Sequence, residues 1–139
     1  MPQLCPPSVP SVALMMKEPH LGRILDGSKT WELRGSRTRR RGPITLARSG
    51  SGLIIGSVTI LDVLGPLTLD EMLMSDCLPL PQRQELEVQG VEPYRSLVGG
   101  VWKSRTFAWK LADPIRFDRP LNYRHPQGAV IFVNLAGRL

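Results

Sequence analysis

The sequence predicts an α+β fold, a small mixed β-barrel of five to seven short strands with two or three short helices. Three observations lead there. Apolar or alternating runs of strand length recur from Val12 to Leu135. Two or three short stretches carry helical signals instead. Clusters of Gly, Pro and Ser separate these runs as turns. The 139 residues suffice for one continuous core but not two. A hydrophobic fraction of 42% with 22% charged residues argues against wholesale disorder. No apolar run approaches the roughly 20 residues of a membrane-spanning helix, and residues 1–10 lack the regions of a secretory signal. A cytoplasmic protein with no membrane partner, monomeric by default, is therefore expected.

Residues 1–10, with Pro2, Pro6, Pro7 and Pro10, read as a flexible N-terminal arm, and 11–139 as a single domain. Val12 to Met16 is a short apolar run that suits a buried first strand. Glu18, Pro19 and His20 open a helix, with Leu21, Ile24 and Leu25 as its apolar stripe and Gly27 as its left-handed close. Trp31 to Arg34 alternates, placing Trp31 and Leu33 on one face and Glu32 and Arg34, with Thr30, on the other. Ile44 to Ala47 is a further strand, followed by the Ser49-Gly50-Ser51-Gly52 turn, whose N–H groups and hydroxyls are open to a ligand. No Gly-Lys-Ser/Thr follows it, so it is not a P-loop. Leu53 to Leu64 is the longest strand, and Gly56 inside it marks a bulge or the close approach of another backbone or ligand.

Thr68-Leu69-Asp70-Glu71 has the capping-box form and begins a second helix. Gln82 to Val88 reads as a short polar helix, and Gly90 to Val101 as irregular. Arg105 to Leu111 alternates again, Pro114 interrupts it, and Ile115 to Phe117 continues as a separate extended piece. Tyr123 to Gly128 is a turn-rich link, and Ala129 to Leu135 has the length and apolarity of a buried strand.

Net charge is +6, from 18 Lys and Arg against 12 Asp and Glu, and arginine outnumbers lysine. Guanidinium groups pair with phosphate and stack on bases, so the balance suits a nucleic-acid partner, although an arginine-rich proteome yields it without one. Cys5, Cys77, His20 and His125 are each isolated and make none of the spacings of a zinc site. No disulfide, metal or cofactor is expected, and both histidines read as bystanders.

The chemistry gathers at Gly27-Ser28-Lys29-Thr30-Trp31-Glu32-Leu33-Arg34. An ammonium, a carboxylate and a guanidinium a few residues apart can hold a polar heterocycle or move a proton. A solvated strand edge, with the three groups paired to each other or to water, is the alternative. Behind it, Gly35 to Gly42 carries Arg37, Arg39, Arg40 and Arg41. These read as a phosphate-contacting rim, joined by Arg48, or else as a mobile charged loop. Ser49 and Tyr123 complete the candidate ligand set, Tyr123 as a stacking ring in a loop, while Trp102 and Trp109 read as core.

The run from Pro19 to Arg34, with its helix followed by G-x-K-T-x-E-x-R, resembles the opening signature of the ASCH family, related to PUA RNA-binding domains. Gly42-Pro43-Ile44 through Gly56 and Pro126 to Phe132 fit the family as well, so the resemblance covers roughly residues 12 to 135. It implies a PUA-like barrel that binds RNA or a modified nucleoside. Some relatives are amidohydrolases acting on acylated cytidine, through the lysine of G-x-K-T, a threonine three residues later and a glutamate elsewhere. Lys29 matches that lysine, but Glu32 stands in the threonine's place. For the glutamate there is no match beyond Glu71 or Glu85 as candidates. A hydrolase, acylated-cytidine amidohydrolase or ribonuclease, would thus use Lys29 with Glu32. A third reading is a protein-interaction adaptor whose arginine loop meets an acidic partner.

Overall fold

The computed structural model describes residues 9–89, 95–129 and 131–139, with the backbone alone at 95–98 and 101–104. Its elements are β1 (Val12–Met16), α1 (His20–Leu25), β2 (Trp31–Arg34), β3 (Gly42–Arg48), β4 (Leu53–Leu64), α2 (Leu69–Leu73), α3 (Leu80–Gln89), β5 (Arg95–Val98), β6 (Val101–Ser104), β7 (Phe107–Asn122) and β8 (Phe132–Asn134). Six strands form one mixed sheet in the order β2-β7-β4-β3-β1-β8, with β1 parallel to β3 and every other pair antiparallel. β5 and β6 form a separate hairpin. The sheet curls into a half-barrel and, with three helices, gives the expected α+β fold.

The concave side holds the main core. Leu14, Leu46, Val58, Ile60, Phe107, Trp109 and Leu111 from the strands pack with Leu21, Ile24 and Leu25 of α1. Alternation along β2 then sends Leu33 to the opposite face, against Met72, Leu78, Leu86 and Ala108 beneath α2 and α3. A third cluster joins Ala13, Met15, Ile54, Tyr123, Val133 and Leu135. The curl brings β2 toward β1, where Arg34 Nη2 donates to the Met15 carbonyl at 3.1 Å. It also sets Trp109 of β7 against Phe132 of β8, their rings parallel to within 3° and 5.8 Å apart.

Local signals explain most boundaries. α1 begins at His20, and the Gly22 N–H at its open end donates to the Glu18 carboxylate at 2.8 Å. Gly27, at φ +87°, turns the chain out of the helix into β2. Thr68 and Glu71 make both hydrogen bonds of a capping box at α2. Gly56 lies where β4 shifts register against β7, and a Cβ there would run into the Ile115 carbonyl and the Leu25 side chain.

Two expectations need correction. Residues 95–101 of the stretch expected to be irregular belong instead to the β5–β6 hairpin, whose turn is Gly99-Gly100 with φ of +57° and +80°. A Gly-Gly pair supplies the positive φ angles that two-residue hairpin loops need. Pro114 does not end its strand, because β7 runs from Phe107 to Asn122 through a register shift with Asp113 at φ +53°. A bulge tolerates proline, since it leaves a residue outside the ladder. The arm expected over residues 1–10 falls, at 1–8, outside the described residues, as does Gly90 to Tyr94 of the expected irregular segment. Among the described residues no helix is long and apolar enough to cross a membrane.

Candidate functional site

β2 delivers Glu32 and Arg34 to the concave side, and the turn after α1 delivers Lys29 beside them. They line a hollow of about 230 Å³ together with His20, Ser49, Gln82, Lys17, Met15, Met16 and Leu33. Lys29 is fully buried, at 1% exposure. Its Nζ donates to Gln82 Oε1 at 2.8 Å and to His20 Nδ1 at 3.1 Å, and lies 3.4 Å from Glu32 Oε1. An ammonium has three N–H donors, and three acceptors surround this one. Burial nevertheless pulls the Lys29 pKa below the usual lysine value, against the upward pull of Glu32. Burial likewise lowers the His20 pKa, and the Lys29 charge lowers it further.

Glu32 is the hub. Its second oxygen accepts from Arg34 Nε at 2.7 Å, so one buried carboxylate serves two cations. Arg34 is held on three sides by Glu32, by the Met15 carbonyl and by the Trp109 ring, whose centroid lies 5.4 Å from Cζ. Its side chain, 22% exposed, forms part of the wall of the hollow. Gln82 Oε1 faces the ammonium, which leaves the buried Nε2 without a partner among the described residues. What this geometry supplies is a carboxylate acceptor beside a guanidinium donor, both pre-positioned.

Lys29, Glu32, Arg34 and Ser49 of the sequence candidates thus meet at one place. Tyr123 does not join them. It is buried in another cluster, its hydroxyl against Met15 Sδ and His125 Nδ1, so it is not the exposed stacking ring expected from its loop position. The arginine loop lies elsewhere too. Arg37 donates to the Gly65 carbonyl, Arg40 covers Phe132 at 4.8 Å, and Arg41 donates to the Thr38 and Arg40 carbonyls and pairs with Asp62 at 3.5 Å. Arg37, Arg39 and Arg41 border a separate shallow depression with Thr38. Arg48 turns to Glu18 at 3.4 Å. Glu71 is spent in its capping box, and Glu85 is an exposed residue of α3.

Sequence reasoning missed two members of the hollow. His20 is no bystander, since helix α1 sets its ring on Lys29. Gln82 arrives from α3, 53 residues further along the chain, and no local pattern announces such a contact. The signal available was weak, a glutamine in a polar helix that α3 buries to 1%. Trp109 is core as expected, and its Nε1 donates to the Ser36 carbonyl at 3.0 Å. Among the described residues no three His, Cys, Asp or Glu side chains cluster as a metal site requires.

A curled mixed sheet with a polar hollow walled by two short helices defines a small α+β domain with a preformed cleft. The sequence profile of the ASCH domain matches residues 14–120, and the chain belongs to that family. Its fold is similar to crystal structures of the ASCH protein from Zymomonas mobilis. The unmodified protein aligns with TM-score 0.54 and 16% identity over 89% of this chain and 86% of that one. A tyrosine-to-phenylalanine variant gives 0.57 and 15% over 89% and 88%, and a serine-to-alanine variant 0.58 and 15% over 89% and 87%. No curated protein matches the chain.

Proposed function

We propose that this domain binds RNA or a modified nucleoside, taking a single base into the hollow beside Glu32 and Arg34. The observation that carries this reading is the shared carboxylate, which sets an acceptor and the Arg34 guanidinium side by side on the wall of the hollow. A base presents the complementary pair, a ring or carbonyl acceptor next to an N–H donor. The volume of about 230 Å³ falls below the roughly 300–1,000 Å³ of drug-sized ligand sites and suits one nucleoside better than a folded RNA. ASCH membership and the net charge of +6 agree with it. Lys29, whose donors are all engaged, serves here to orient Glu32 and Gln82.

A second reading, hydrolysis of an acylated cytidine, draws support from one feature. Burial favours the free amine of Lys29, and Glu32 stands beside it to orient a water or take a proton. Against it, Glu32 occupies the place of the hydroxyl that hydrolytic relatives use. Incubation of the purified protein with single-stranded RNA and with acylated cytidines, followed by analysis for bound ligand and for product, separates the two. Bound ligand without product supports the binding domain. Release of free acid with turnover establishes the hydrolase, and neither outcome at millimolar ligand refutes both.

A further inference from the structure

We infer that the ligand of this hollow carries a phosphate monoester, and that Lys17 and Ser49 at its mouth receive the phosphate. The inference rests on the reading above and adds the charge and orientation of the ligand. Three cationic side chains, Lys17, Lys29 and Arg34, line the hollow against one carboxylate, Glu32. His20 adds no charge at neutral pH, because burial and Lys29 hold its pKa low. The three acceptors around Lys29 Nζ are the complement of a protonated amine, so the wall has an excess of two positive charges. A phosphate monoester carries about −1.5 to −2 at pH 7 and balances that excess, which a neutral nucleoside leaves standing.

The excess has a direction. Lys29 and Arg34 are committed to Glu32 at the inner end. Lys17 and Ser49 follow the paired residues Met16 and Arg48 of the parallel strands β1 and β3, so the register sets them side by side. The Ser49 N–H donates to the Met16 carbonyl at 2.8 Å, which fixes that serine against the end of β1. Its hydroxyl has no partner among the described residues, and Lys17 has no carboxylate within ion-pair distance among them. A hydroxyl and an uncommitted ammonium side by side can both donate charge-assisted hydrogen bonds to one oxyanion, while Arg34 stays with Glu32 at the inner end. The arginine loop offers less, since Arg37, Arg40 and Arg41 already lie on Gly65, Phe132 and Asp62.

The test compares the four ribonucleosides, their 5′- and 3′-monophosphates, and short oligoribonucleotides with and without a terminal phosphate, on the intact chain and on Lys17→Ala and Ser49→Ala. Calorimetric titration gives each Kd. In the unaltered protein a monophosphate should bind at least about tenfold more tightly than its nucleoside, a modest return for two charge-assisted hydrogen bonds. Lys17→Ala should close that gap to under about threefold while leaving nucleoside binding within about twofold. Preference for the oligonucleotide ending in phosphate would assign an RNA end as the source, and preference for the mononucleotide a free nucleotide. Equal affinity for nucleoside and monophosphate overturns the inference and leaves the base-binding reading standing. So does a gap that survives Lys17→Ala and Ser49→Ala. Absence of binding by every probe removes the reading itself.

Discussion

Replacing Glu32 by glutamine preserves shape and removes the single negative charge that two cations share. Lys29 and Glu32 are 1% and 8% exposed at their side chains and lie 3.4 Å apart. At an effective dielectric of about 20, charges at that separation attract by roughly 5 kcal/mol before desolvation is counted. Breaking one side of a buried pair costs about 3–5 kcal/mol, because the abandoned charge stays buried. Arg34, 22% exposed, recovers part of its loss from water. A cost of about 3 kcal/mol is therefore expected, and the domain still folds, since small domains have about 5–15 kcal/mol in hand. With a urea m-value of about 2 kcal/mol/M, the unfolding midpoint should drop by roughly 1.5 M. Lys29→Met should cost less, because Glu32 keeps Arg34, and adding it to Glu32→Gln should restore stability relative to Glu32→Gln alone. A midpoint shift below about 0.5 M, as for an exposed ion pair, would refute the claim that these charges are sheltered.

Other perturbations test other links. Gly56→Ala forces a Cβ onto the Ile115 carbonyl and Leu25, and should cost about 1–3 kcal/mol in urea unfolding; a neutral result would mean that β4 and β7 are not in close contact at that bulge. His20 has a folded-state pKa below its unfolded value, owing to burial and then Lys29, so the unfolded chain binds more protons between the two values. Stability should therefore rise with pH through that window up to about 6.5 and fall on acidification toward pH 5, and His20→Asn should flatten the slope of the urea midpoint. A slope of the opposite sign would contradict a neutral His20 on a charged Lys29. Arg39 is exposed and Arg40 covers Phe132, so Arg39→Ala should lower the salt dependence of RNA binding by about one phosphate contact, and Arg40→Ala by less. Equal slopes in all three proteins would exclude the loop from RNA contact.

Signals confined to a few residues were legible in the sequence. The close of α1 at Gly27, the capping box of α2, the crowding at Gly56 and the two faces of β2 each follow from spacing or from the backbone freedom of glycine. The inner half of the hollow was legible for the same reason, since Lys29, Glu32 and Arg34 share one short segment. Gln82 and His20 were not, because their approach to Lys29 depends on how two helices pack against the sheet. The same limit governed the arginines. Sequence shows a run of charge, whereas the fold gives Arg40 to Phe132 and Arg37 and Arg105 to Phe107. Tyr123 looked available because turns surround it, but the turn before β4 draws it in through the hydrogen bond from its N–H to the Gly52 carbonyl.

The most direct measurement is a chemical-shift titration of the isotopically labelled domain with single-stranded RNA and with the ribonucleotides, read at each backbone amide. Perturbations gathered at Lys17, His20, Lys29, Glu32, Arg34, Ser49 and Gln82 would agree with a base seated against the shared carboxylate. Perturbations restricted to Arg37–Arg41 and the start of β3, with those seven amides unmoved, would contradict it.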